Sequence, residues 1–174
     1  ILCDAVKGEQ ALAVADKLIN DSSLDYCTVY FKFYLHQALA KVGLGDQYLK
    51  WLDIWRENIS MGLTTWGETS DVDGTRSDCH AWGASPNIEF FRTLLGIDSA
   101  SPAFRTVKIS PCLGDIQKIG GTMPHPQGEI KVAYQKKGNA LKAQIELPAG
   151  VTGVLVWNGQ EHALKGGANT IDCK

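Results

Sequence analysis

One stretch of the chain gathers the side chains that acid–base chemistry uses. Between Met61 and Trp82 lie Glu68, Asp71, Asp73 and Asp78, together with Arg76, His80 and two indoles, Trp66 and Trp82. Two carboxyl groups suffice to split a glycosidic bond: one protonates the leaving oxygen, and the other activates water or attacks directly. An indole offers a flat apolar face to the C–H side of a pyranose, while neighbouring polar groups bind its hydroxyls. An Arg or His beside a carboxylate tunes its pKa or holds it in place. Loops carried by a rigid scaffold are where such groups usually sit.

Each of these residues also has a plainer reading. Glu68 serves equally as a surface carboxylate capping a helix. Asp71, Asp73 and Asp78 are good turn formers. His80 reads as well as a core imidazole with one buried hydrogen bond, and Trp66 and Trp82 as core indoles. Asp71-Val72-Asp73-Gly74 has the start of a calcium loop but lacks the glutamate at the twelfth position, so an EF-hand is excluded. The residues alone leave a carbohydrate site and an ordinary surface loop both open.

The elements that must position this loop follow from periodicity. Helical spacing predicts four helices, at about Glu9–Ile19, Asp25–Val42, Asp46–Ile59 and Ala81–Leu95. Ala11, Val14, Ala15 and Leu18 share one face of the first. Gly43 is a natural stop for the second, whose run Tyr30-Phe31-Lys32-Phe33-Tyr34-Leu35 is apolar nearly all round and so needs cover on more than one side. Asp46 is placed to cap the third, with Tyr48, Trp51, Leu52, Trp55 and Ile59 as its stripe. Pro86 starts or kinks the fourth, and Gly96 ends it. Two helical hairpins of this kind leave apolar faces open, and the chain starts on Ile1 without a leader. The expectation is a piece of a longer protein.

Past Ser101-Pro102 the period changes to two. Ile130, Val132 and Tyr134 alternate, as do Leu141, Ala143, Ile145 and Leu147. Turn signals separate them at Lys136-Lys137-Gly138-Asn139, Pro148-Ala149-Gly150 and Asn158-Gly159, the last a strong two-residue hairpin signal. Val107 with Ile109, Val154 with Val156, His162 with Leu164 and Ile171 with Cys173 supply further strands. The expected division is helices over 1–100 and a small antiparallel β-sandwich over 101–174.

Composition narrows the function classes. Of the 174 residues 44% are apolar and 21% charged, with a formal net charge of −2, normal for a globular protein. No Lys/Arg cluster follows a helix face, which argues against nucleic acid. No apolar run approaches the roughly 20 residues that span a bilayer. The five cysteines are widely spaced with no CxxC pair, so neither a zinc site nor any other metal or cofactor is expected.

A family resemblance sharpens these alternatives. Thr28-Val29-Tyr30-Phe31-Lys32-Phe33-Tyr34 with Ala38-Leu39, then Trp55, then Gly62-Leu63-Thr64-Thr65-Trp66-Gly67-Glu68, then Ser77-Asp78-Cys79-His80-Ala81-Trp82-Gly83-Ala84, then Leu94-Leu95-Gly96-Ile97, resembles the end of the catalytic barrel of bacterial α-L-rhamnosidases. Phe104, Ile109-Ser110-Pro111, Gly120-Gly121 and Pro126-Gln127-Gly128-Glu129-Ile130 resemble that family's C-terminal β-sandwich. The resemblance implies the last helices of an (α/α)6 barrel followed by the sandwich. It implies hydrolysis of terminal α-L-rhamnose with inversion, on rhamnose-containing glycans or glycosides. It places the general base on Glu68 and a sugar-subsite role on His80; Trp66, Trp82, Asp71 and Arg76 join them as substrate-binding candidates from the chemistry of the loop. The general acid would lie in earlier barrel loops of the parent chain, so residues 1–174 alone would be inactive. Gly67 stands where many relatives carry a bulkier residue, which bears on substrate preference. Two other readings compete: a different (α/α)6 glycosidase or lyase, and a non-catalytic carbohydrate-binding or structural fragment.

Overall fold

The computed structural model describes residues 1–69, 71, 74 and 77–174. The chain forms two compact units, Ile1–Ile88 and Glu89–Lys174. The first is helical. Helix α1 (Gly8–Asn20) buries only Ala11 and Ala15, so its inward stripe is narrower than the predicted four residues, and Val14 and Leu18 stay exposed. Helix α2 (Val29–Leu39) starts four residues later than the periodicity suggests. Thr28 is extended there, and its hydroxyl accepts a hydrogen bond from the Phe31 N–H at 3.4 Å, an N-cap that ends the preceding loop. A π turn (Ala40–Leu44) follows, and Gly43 takes φ +88°, which a glycine adopts without steric cost.

The third predicted helix is really two pieces. A 3₁₀ segment (Gly45–Trp51) is followed, across a break at Leu52, by α3 (Asp53–Ser60), so Asp46 lies inside the 3₁₀ segment instead of capping a helix. Spacing by three suits a 3₁₀ turn as well as an α-helix, which is why the stripe did not distinguish them. Tyr48, Leu52 and Trp55 are buried as expected, whereas Ile59 is exposed. A 3₁₀ turn (Ala81–Ala84) then leads into the short α4 (Ser85–Glu89). Pro86 falls in its first turn, where a missing N–H costs nothing.

The second unit opens with a π turn (Phe90–Leu94). Glu89 is fully buried, its carboxylate held by the Arg92 guanidinium and by the Thr93 hydroxyl at 2.7 Å. Gly96 has φ +72°, and a Cβ there would run into the Ser110–Pro111 peptide, so the turn into the strands tolerates no side chain. Eight strands follow: β1 (Ile97–Ser99), β2 (Thr106–Ile109), β3 (Lys118–His125), β4 (Gly128–Lys137), β5 (Ala140–Leu147), β6 (Thr152–Trp157), β7 (Gln160–Leu164) and β8 (Gly167–Cys173). They form two four-stranded sheets, ordered β1-β2-β6-β7 and β3-β4-β5-β8. Ile97, Ile109 and Leu155 of one sheet share a core with Ile130, Leu141 and Ile145 of the other, which makes a sandwich.

The alternation in β4 and β5 is as the sequence indicates: Ile130, Val132, Tyr134, Leu141, Ala143, Ile145 and Leu147 face inward. The Tyr134 hydroxyl donates to the Leu95 carbonyl at 2.8 Å, and burial pushes the phenol pKa up. Asn158 (φ +49°) and Gly159 (φ +75°) close the tight β6–β7 hairpin on the Trp157–Gln160 pair. One expectation is corrected. The sheets are not wholly antiparallel, because β2 and β6 run parallel. The buried residue of β6 is Leu155, with Val154 and Val156 half-buried.

Candidate functional site

The described arms of the loop after α3 are tied to each other. They are joined by backbone hydrogen bonds, the His80 N–H to the Trp66 carbonyl at 2.8 Å and the Glu68 N–H to the Ser77 carbonyl at 2.9 Å. The Thr65 hydroxyl donates to the Asp78 carbonyl in the same clip. Glu68 and His80, far apart along the loop, are thereby carried on facing arms. Both are half-buried, which leaves each able to meet solvent or a ligand.

The arms are anchored from below. The Trp55 indole N–H on α3 donates to the Gly83 carbonyl at 2.6 Å, within the helical unit and out of water. A Cβ at Gly83 would come within 2.6 Å of the Trp66 Cβ, so only glycine lets the turn after His80 lie against Trp66. Gly67 is also closely packed: a Cβ there would meet Asn58 Oδ1 at 3.2 Å and the Thr69 carbonyl at 3.3 Å. Asn58 itself is buried and donates to the Ile54 carbonyl at 2.7 Å. A bulkier residue at position 67 would have to displace one of these groups.

The aromatic groups form a continuous series. Trp82 stacks on Tyr30 of α2, with ring centroids 4.2 Å apart and planes 27° from parallel. The His80 ring stands nearly perpendicular to Trp82, at 5.7 Å and 85°. The Tyr30 hydroxyl is 3.3 Å from that of Tyr34, and this hydrogen bond, ahead of the neighbouring phenol's charge and burial, raises the Tyr30 pKa. Trp82 nevertheless remains 58% exposed, so the stack leaves much of the indole open.

The six residues proposed from sequence thus fall into groups. The clip pairs Trp66 with His80 and Glu68 with Ser77 through the backbone, and the Trp82 ring lies beside that of His80. Asp71 is exposed toward the tip, where its carboxylate accepts a hydrogen bond from the Gly74 N–H at 3.1 Å. That is the turn-forming role an aspartate takes readily. Arg76 lies outside the described residues, as does Asp73. Sequence reasoning did not place Tyr30 in the site, although it lies in the aromatic run quoted for the resemblance. It also gave no role to Gly83 or to the Trp55 N–H, whose contacts are long-range and leave no local signal.

The fold is shared with parts of solved α-L-rhamnosidase chains. Residues 96–172 match the family model described as the bacterial alpha-L-rhamnosidase C-terminal domain. Among solved structures, a GH78 family rhamnosidase of Bacillus sp. GL1 is 27% identical with a TM-score of 0.79, over 89% of this chain and 18% of that one. The α-L-rhamnosidase from Aspergillus terreus has a TM-score of 0.79 at 18% identity, over 93% of this chain and 21% of that one. The Streptomyces avermitilis α-L-rhamnosidase, solved with L-rhamnose, has a TM-score of 0.70 at 18% identity, over 82% of this chain and 17% of that one. The chain therefore spans about a fifth of the length of these relatives. No curated protein matches it.

Proposed function

We propose that the chain is the closing part of a glycoside hydrolase that removes terminal α-L-rhamnose from glycans or glycosides with inversion of configuration. In this reading residues 1–100 supply the last helices of an (α/α)6 barrel and 101–174 its C-terminal β-sandwich. The observation that carries it is the clipped loop, which holds Glu68 and His80 on facing arms, with the Trp82 ring beside His80. Glu68 acts as the general base: it takes a proton from water on the sugar face opposite the leaving group. His80 binds a sugar hydroxyl, and the open part of Trp82 meets the C–H face of the ring. The general acid that protonates the leaving oxygen comes from the rest of the parent chain.

The test uses the complete enzyme. Glu68→Gln preserves shape and most hydrogen bonding, so fold and substrate affinity should stay. The expected loss is in kcat, by roughly 10²–10⁴, the usual worth of a general base. Proton NMR in the first minutes of turnover should show the inverted anomer. A retained anomer would make the second carboxyl a nucleophile, about 5 Å from the first instead of about 6.5–9.5 Å. That result, or a near-normal kcat for Glu68→Gln, would remove the role given to this residue.

A further inference from the structure

The geometry points to Tyr30 as a positioning residue of the sugar site: from α2 it holds the Trp82 ring, and through it the Trp82–His80 corner, in the orientation that receives a pyranose. This deepens the reading proposed above and rests on it for the identity of the ligand.

Trp82 follows two residues after His80, in a 3₁₀ turn of only Ala81–Ala84, too short to lock the rotamer of a side chain on its rim. An exposed indole on such a turn has several staggered rotamers open to it. Two contacts select one. The Tyr30 ring lies nearly flat on the indole at 4.2 Å. The His80 ring stands across it at 85°. The result is a corner with an apolar floor and an imidazole wall. A pyranose has the same two-sided character, with C–H bonds on one face and hydroxyls around the rim.

Tyr30 is suited to this support. It lies within the first turn of α2, which the Thr28 hydroxyl caps. Its phenol is tied to Tyr34, one turn further on, at 3.3 Å, and the two rings meet edge to face at 5.8 Å. The indole is therefore backed by a helix and not by another loop. Because Tyr30 lies under the indole and not at the reacting atoms, its contribution falls equally on bound substrate and transition state. That predicts an effect on KM with little on kcat, the reverse of the Glu68 pattern.

The experiment has two arms. In the 174-residue chain, the near-UV circular dichroism of Trp82 is read as the difference between wild type and Trp82→Phe, since the chain has five tryptophans. Tyr30→Ala should abolish most of that difference, and Tyr30→Phe, which keeps the ring, should retain it. In the complete enzyme, Tyr30→Ala should raise KM for an aryl α-L-rhamnoside about 2- to 10-fold, the range expected for loss of one aromatic pair. The kcat and its pH profile should stay near wild type, and Tyr30→Phe should match wild type throughout. An unchanged Trp82 signal in Tyr30→Ala, an unchanged KM, or a fall in kcat alone would overturn the inference. If the complete wild-type enzyme does not cleave rhamnosides at all, the proposed function fails, and the spectral arm still decides whether Tyr30 holds Trp82.

Discussion

At the scale of single residues, His36 is a titratable group held well out of water. It is 2% exposed, packed among the rings of Tyr48, Trp51 and Trp55 with centroids 5.5–5.8 Å away, and its Nε2 has no hydrogen-bond partner among the described residues. Burial, and then the nearby charge of Lys32, lowers its pKa from 6.5 to about 4. A base depressed in this way is neutral in the folded state, while the unfolded chain takes up its proton first as pH falls. Stability from this site is therefore complete above pH 6.5, declines as pH falls from 6.5 toward 4, and is fully lost below that. The gap corresponds to about 3 kcal/mol. His36→Phe keeps an aromatic ring in the same space and removes the titration. Urea midpoints at pH 7.5 and 4.5 should draw together in this variant relative to wild type. Equal pH dependence in the two proteins would show that His36 is protonated at little cost.

At the scale of elements, the loop is held by glycine and backbone more than by side chains. Gly83→Ala should destabilise the helical unit by about 1–3 kcal/mol, the usual cost of forcing extra atoms into a packed site. The reason is that the new methyl meets Trp66 while the Gly83 carbonyl is fixed by Trp55. Thermal unfolding with Trp emission checks this, and an unchanged transition would mean the arms slide apart freely. The same element shows why sequence reading stopped where it did. The pairing of Trp66 with His80 and the stacking of Tyr30 on Trp82 join distant positions, and no periodicity announces them. Strands β4 and β5 were legible because each has one buried and one solvated face, which writes an alternation into the sequence. Strand β3 was not, because Gly120, Gly121 and Pro124 interrupt it; Pro124 is tolerated because β3 is an edge strand, with a partner only on the β4 side. The capped start of α2 was missed by reading apolar residues back past Thr28, whose hydroxyl decides the boundary.

At the scale of the whole molecule, the two units differ in how fully they bury their own apolar residues. The sandwich closes on itself, with Val107, Ile109, Ile130, Ala143 and Leu155 wholly inaccessible. The helical unit does not: Phe31 is 56% and Ile59 61% exposed, and Leu12 and Tyr34 are also open. The helical unit thus leaves several large apolar side chains open to be covered. That agrees with the proposal that these helices belong to a larger barrel whose remaining helices cover them and whose earlier loops complete the site. Chemistry then sets the expected behaviour of the 174-residue chain. Inverting hydrolysis needs a base on one side of the sugar and an acid on the other, separated by about 6.5–9.5 Å to admit a water. The clipped loop offers Glu68 for the first role. Of its other carboxylates, Asp71 is engaged at the tip by the Gly74 N–H, and the proposed reading puts the acid elsewhere. Incubated with a chromogenic aryl α-L-rhamnoside, residues 1–174 should release no aryl alcohol above the rate of a Glu68→Gln control, even though the clip and the Tyr30–Trp82 stack are intact. Turnover that Glu68→Gln abolishes would mean that this chain holds both carboxyl groups, and the acid would then have to be sought in the loop itself.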